Sequence, residues 1–155
     1  MKHNMSIKYQ VVTSRKVIIL EIICCLLIIL FFYTGLSKLI EFNGFEFDLI
    51  NAPVIRKLTP VVPIIKVVVP IAELLTAVLL VVPRTRMIGL YSSLTLMVMF
   101  TIYVGGILSF AKDKMCTCGG VLRSMSWEQH LLFNIFFSLL AFVGVVLHKK
   151  FVHGK

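Results

Sequence analysis

The chain has 155 residues, of which 59% are hydrophobic and 15% charged, and its mean hydropathy is +0.98. A soluble domain of this length cannot bury so much apolar surface, so the composition predicts an all-α, polytopic membrane protein surrounded by lipid. A formal net charge of +9 would suggest nucleic-acid binding in a soluble chain. Here the basic residues lie between and beyond the apolar runs, which indicates topology signals and no nucleic-acid partner.

Four apolar runs are each long enough to cross a bilayer as a helix. They cover residues 17–40, 60–82, 87–110 and 126–148. The first run is too long for the core of a cleaved signal peptide, and no small-residue cleavage site follows it, so we expect it to remain as a span. The sequence therefore predicts one domain, a four-helix transmembrane bundle over residues 17–148, between a tail at 1–16 and a tail at 149–155.

The distribution of basic residues predicts the orientation of this bundle. The two tails and the turn from Arg84 to Arg86 contain Lys and Arg without acidic residues, whereas the other two connections mix both signs. By the positive-inside rule both termini are cytoplasmic, and the connection between the third and fourth spans faces outward. In a bacterial cell this corresponds to a multi-pass protein of the inner membrane, with that connection on the oxidising side.

The outward connection contains Cys116 and Cys118, separated by one residue and followed by two glycines. A disulfide across one intervening residue closes a short, strained ring, and strained disulfides are easily reduced and pass oxidation on. Nearby positive charge favours the reactive thiolate. Three basic residues flank the pair: Lys112, Lys114 and Arg123. The alternatives are a static disulfide or unreactive thiols, and a metal site in which the two cysteines and His130 bind Cu(I), or zinc with one more ligand.

The fourth span begins with a capping box formed by Ser126 and Gln129. Trp127, His130 and Asn134 share one face of this helix because they are three and four residues apart. His130 lies about one turn below the cysteines and is suited to accept a thiol proton. The alternative for this face is an interfacial anchor, a role typical of Trp127.

Glu73 lies near the middle of the second span, where an ionisable side chain costs at least ~2.5 kcal/mol and normally faces the bundle interior. As a functional residue it would relay a proton, or bind the polar head of a quinone to which Trp127 and Asn134 would also contribute. As a structural residue it would be a protonated carboxyl that holds two helices together.

The other polar residues of the spans have structural interpretations. Cys24 and Cys25 point to different faces of one helix, and Cys25 lies ~22 Å below the outer end of the first span, so neither reaches the loop. They are expected to be small apolar fillers. Two local ion pairs are expected at the ends of the first span: Glu21 with Arg15 or Lys16, and Lys38 with Glu41.

Taken together, four of these features resemble the DoxX-like group of four-helix membrane proteins, and within it the branch of the methylamine utilisation protein MauE. They are Gly35-Leu36-Ser37-Lys38-Leu39, Glu73, the Cys116-Thr117-Cys118-Gly119-Gly120 loop and the Trp127/His130/Asn134 face. The resemblance implies a four-helix bundle in the cytoplasmic membrane that forms or supports disulfides in the methylamine dehydrogenase small subunit. Cys116 and Cys118 match the thiol motif of that branch, whereas Gly119 replaces its aromatic residue.

The resulting hypothesis is a thiol-disulfide oxidoreductase. The Cys116–Cys118 pair would cycle between disulfide and dithiol and exchange with an extracytoplasmic thiol protein or thioredoxin-like protein. His130 would assist proton transfer, and Glu73 would line a pocket for a quinone. Two other hypotheses remain, a membrane module that handles copper or zinc, and a carrier of protons or small solutes built on Glu73.

Overall fold

The computed structural model describes residues 2–51, 60–110 and 126–152. Within these ranges the chain forms five α-helices and no strand, so the prediction of an all-α protein is confirmed. The helices are α1 (Lys2–Ile40), α2 (Phe42–Asn51), α3 (Val62–Val81), α4 (Arg86–Phe110) and α5 (Trp127–Val152).

Four of these helices are long and apolar enough to cross a membrane. Their spanning segments are Arg15–Ile40, Val62–Val81, Arg86–Ser109 and Glu128–Lys150, and each boundary lies within two residues of the predicted one. Large apolar side chains such as Ile102 and Leu132 are about 70% exposed on the outer faces, where lipid covers them. Since α1 continues towards the N-terminus as far as Lys2, the helix also includes most of the predicted tail.

The spanning helices pack as a ring in chain order, with α1 against α3, α3 against α4, α4 against α5 and α5 against α1. The fully buried centre of this ring is formed by Leu27, Phe31, Leu80, Leu90 and Ala141. Cys24 belongs to the same apolar core, as expected for a small filler, whereas Cys25 is exposed, and both are free thiols. We call the end of the bundle where α1 and α4 finish and α5 begins the loop end.

The opposite end is fastened by an ion pair between helices. Glu21 Oε1 accepts a hydrogen bond from Arg86 Nη1 at 2.5 Å. The prediction that Glu21 pairs locally with Arg15 or Lys16 is therefore wrong. Arg86 Nε also donates to the Leu80 carbonyl at 3.4 Å. The tight turn between α3 and α4 is thereby attached to α1.

The helix α2 lies in the connection between the first two predicted spans, where the sequence predicts no helix because Asn43-Gly44 is a turn signal. It lies against α3 at the loop end, where its Leu49 is buried with Val62 and Ile107. A 2.7 Å ion pair between Glu46 and Lys66 also attaches it to α3. This short helix therefore covers the bundle at its loop end.

Candidate functional site

A cavity of about 260 Å³ lies between α1, α3, α4 and α5 in the half of the bundle nearest the loop end, and α2 contributes to its wall. We call it the bundle cavity. Most of its lining is apolar or aromatic, with side chains such as Phe45, Phe100 and Phe133. Polar side chains converge within it, among them Thr34, Lys38, Glu73, His130 and Asn134. Such a combination of apolar walls and a few convergent polar groups is typical of small-molecule sites.

Glu73 lies on the inward face of α3, as the sequence predicts, and is only 1% exposed. Its Oε1 accepts hydrogen bonds from Lys38 Nζ at 2.6 Å and from Thr34 Oγ1 at 3.2 Å, both on α1. A short N–O contact of this kind fits a charge-assisted hydrogen bond between an ammonium and a carboxylate. Because buried charges are stable only when paired, Lys38 lets Glu73 be ionised at this depth.

Lys38 belongs to the candidate site, although the sequence does not predict it there. The sequence predicts it beside Glu41 at the membrane surface, but the structure directs its ammonium into the bundle, onto Glu73. There its Nζ lies 5.8 Å from the ring centroid of Phe45 and 5.5 Å from that of Phe100, both within cation–π range. The available signal was the four-residue spacing of Thr34 and Lys38, which places two donors on one helix face.

The structure brings His130 and Asn134 of α5 to the same cavity as Glu73. The predicted capping box fixes the start of α5: the Ser126 backbone nitrogen donates to Gln129 Oε1 at 3.0 Å, and the Gln129 nitrogen donates to Ser126 Oγ at 3.3 Å. Trp127 begins the helix, but its side chain lies outside the described residues.

The cavity wall contains buried polar atoms without a hydrogen-bond partner among the described residues. Oε2 of Glu73 is one, and Nδ2 of Asn134, a residue that is 3% exposed, is another. Buried polar atoms in proteins are nearly always paired, so each requires a partner from outside the chain's described part. The cavity therefore offers a strong acceptor, Oε2 of Glu73, and a donor, Nδ2 of Asn134, to a bound molecule.

Cys116 and Cys118 lie outside the described residues, and their predicted role stays a prediction. Cys116 is six residues after Phe110, and Cys118 is eight residues before Ser126. Fully extended chain would keep them within ~22 Å and ~29 Å of these anchors, which both belong to the loop end. No three His, Cys, Asp or Glu side chains form a metal cluster in the described ranges. The metal site of Cys116, Cys118 and His130 is not tested by that result.

The comparisons with known proteins agree with this architecture. The family model described as methylamine utilisation protein MauE matches residues 16–147, a stretch that contains all of the predicted spans except the last residue. No curated protein and no solved structure matches the chain. The wider DoxX-like grouping stays a prediction. Because the match extends over most of its length, the chain belongs to the MauE family of membrane proteins.

Proposed function

We propose that this protein is a membrane-embedded thiol-disulfide oxidoreductase that acts in methylamine utilisation. Cys116 and Cys118 cycle between dithiol and disulfide and exchange with an extracytoplasmic partner, either a thioredoxin-like protein or the methylamine dehydrogenase small subunit. The family match supports the metabolic assignment. The spacing of the two cysteines and the basic residues around them support the thiol chemistry.

The proposed orientation places the protein in the inner membrane, with its loop end outward. The opposite end carries Arg84, Arg86, Lys149 and Lys150, as the positive-inside rule expects of a cytoplasmic surface. The cysteines would then face the oxidising compartment, where disulfides persist.

The single observation that carries the proposal is the position of the bundle cavity beside both ends of the cysteine loop. Tyr103 lines the cavity seven residues before Phe110, and His130 lines it four residues after Ser126. An electron acceptor bound in the cavity would therefore lie at the end of the bundle from which the loop extends. The apolar and aromatic walls suit the ring of a quinone or hydroquinone, and Lys38, Glu73 and Asn134 place hydrogen-bonding groups beside its polar head.

Oxidation of the two thiols to a disulfide releases two electrons and two protons. A quinone takes up the same numbers to become a hydroquinone, so this reaction needs no further co-reactant. His130, one turn into α5, would accept a thiol proton. Glu73, with Lys38 beside it, would handle protons inside the bundle.

The test follows the loop thiols in membranes. In a Cys24→Ala/Cys25→Ala background only Cys116 and Cys118 react with a membrane-impermeant maleimide. We expect labelling after reduction and its loss on addition of a soluble quinone. The proposal fails if the loop is never labelled, or if Cys116→Ser still restores partner oxidation in cells.

A second function is favoured by one observation, the buried Lys38–Glu73 pair inside a cavity. Such a pair also suits a carrier of protons or small solutes. In that case Glu73→Gln would abolish function in cells, whereas Cys116→Ser and Cys118→Ser would have no effect. The oxidoreductase predicts loss of function for both cysteine variants.

A further inference from the structure

We infer that the bundle cavity binds the reduced, hydroxyl-bearing form of its carrier more tightly than the oxidised form, which favours electron transfer from the loop thiols to the bound carrier. The direction of electron flow rests on the proposed function. The binding preference does not, because it follows from the hydrogen-bonding groups of the cavity wall.

Glu73 is the group that distinguishes the two forms. Its Oε1 already accepts from Lys38 and Thr34, whereas Oε2 is buried without a partner among the described residues. An ionised carboxylate only accepts hydrogen bonds. A hydroquinone hydroxyl can donate to Oε2, but a quinone carbonyl has only lone pairs and would leave this oxygen unsatisfied at a cost.

Asn134 and Lys38 do not discriminate in the same way. Nδ2 of Asn134 is a buried donor, and it can bond to a hydroxyl oxygen or a carbonyl oxygen equally well. Lys38 favours the charged form of Glu73 because its ammonium lies 2.6 Å from Oε1, and the same ammonium is 5.8 Å and 5.5 Å from the ring centroids of Phe45 and Phe100. The chain's own cation thus occupies the place that an alkylammonium ligand would need, and a neutral ligand is favoured.

By linkage, the preference favours electron transfer to the bound carrier. A carrier whose reduced form binds tenfold more tightly has its midpoint potential raised by about 30 mV for a two-electron couple. The bound carrier is then a stronger oxidant. Two electrons and two protons leave the Cys116 and Cys118 thiols as their disulfide forms, and the carrier becomes the hydroquinone.

The experiment measures binding to the full chain carrying Cys116→Ser and Cys118→Ser, in lipid nanodiscs without oxygen. Isothermal titration compares three probes: decylubiquinone, its hydroquinone, and the dimethyl ether of that hydroquinone. We expect the hydroquinone to bind at least about tenfold more tightly than the other two, because only it donates to a charged acceptor. Equal binding of the diol and its ether, tighter quinone binding, or no binding of any probe would overturn the inference.

Glu73→Gln supplies the second measurement, because an amide can satisfy either form and the preference should vanish. Thr76→Val is the matched control, since Thr76 is a buried polar residue of α3 that does not line the cavity, and it should keep the preference. If Glu73→Gln keeps the preference, the inference is wrong. If Glu73→Gln does not fold, the comparison of diol and ether on the unsubstituted Glu73 site decides. If quinone oxidises the loop thiols but the cavity binds quinone and hydroquinone equally, this inference is wrong and the proposed function is not contradicted.

Discussion

Replacing Lys38 by Met removes the charged partner of a buried carboxylate and keeps a long, flexible side chain. In the native protein Nζ of Lys38 is 2.6 Å from Oε1 of Glu73, and the Glu73 side chain is 1% exposed. Without the ammonium, the hydroxyl of Thr34 at 3.2 Å stays on that oxygen. Removing one partner of a buried ion pair costs ~3–5 kcal/mol. Because Lys38 itself is 23% exposed, we expect the lower limit, about 3 kcal/mol.

The chain provides a matched control in the pair between Lys66 and Glu46. Its N–O distance, 2.7 Å, is almost the same, but the side chains are 18% and 32% exposed. Lys66→Met therefore leaves a carboxylate that water can reach, and it should cost about 1 kcal/mol or less. The two variants differ chiefly in the burial of the carboxylate that is left.

The assay is an unfolding titration in mixed micelles with a denaturing detergent. Loss of helix is followed by circular dichroism, and the titration gives the free energy of unfolding. The double variant Lys38→Met/Glu73→Gln removes both charges and should be more stable than Lys38→Met alone. If Lys38→Met costs no more than Lys66→Met, or if the double variant is the least stable, Glu73 is not a buried charge held by Lys38.

Two further predictions concern contacts between helices, one a close packing contact and the other an ion pair. Gly89→Ala should destabilise the protein by ~1–3 kcal/mol in the same assay, because a Cβ at this position would lie 2.8 Å from the backbone nitrogen of Leu80. Gly105→Ala, where a Cβ meets nothing within 4 Å, should be neutral or stabilising by up to ~1 kcal/mol, and equal costs would contradict the reasoning. Arg86→Gln should cost about 1 kcal/mol or less, since Glu21 is 54% exposed, and the cost should shrink between 0.1 and 1 M salt.

The spans and the inward direction of Glu73 could be predicted because each depends mainly on one large free-energy cost, that of placing a side chain in the wrong solvent. An apolar run of about 20 residues has no favourable place outside lipid. A carboxylate at mid-membrane has no favourable place on a lipid-facing surface. Both statements follow from sequence position alone, and both agree with the structure.

The partner of Glu73 could not be predicted in this way. Local spacing favours Lys38 with Glu41, and surface snorkelling is the usual behaviour of a lysine near the end of a span. The contact with Glu73 depends on which helices are neighbours in the bundle, and hydropathy does not determine that arrangement. The same reason explains the missed α2: its segment contains a turn signal at Asn43 and Gly44, but contacts with α3 favour a helix there. The loop cysteines lie outside the described residues, so their predicted role stands untested.

One further link between fold and site follows from Gly35. A Cβ at this position would lie 3.0 Å from Cγ of Leu74 and 3.2 Å from Cβ of Glu73, so the glycine lets α1 approach α3 closely. Lys38 is three residues further along the same helix, on the same face, and its reach to Glu73 depends on that approach. The two residues therefore have linked roles. Gly35 permits the close spacing of α1 and α3, and Lys38 needs that spacing to reach Glu73. Enlarging Gly35 should weaken the Lys38–Glu73 contact without touching either charge, and with it any ligand preference that the ionised Glu73 imposes.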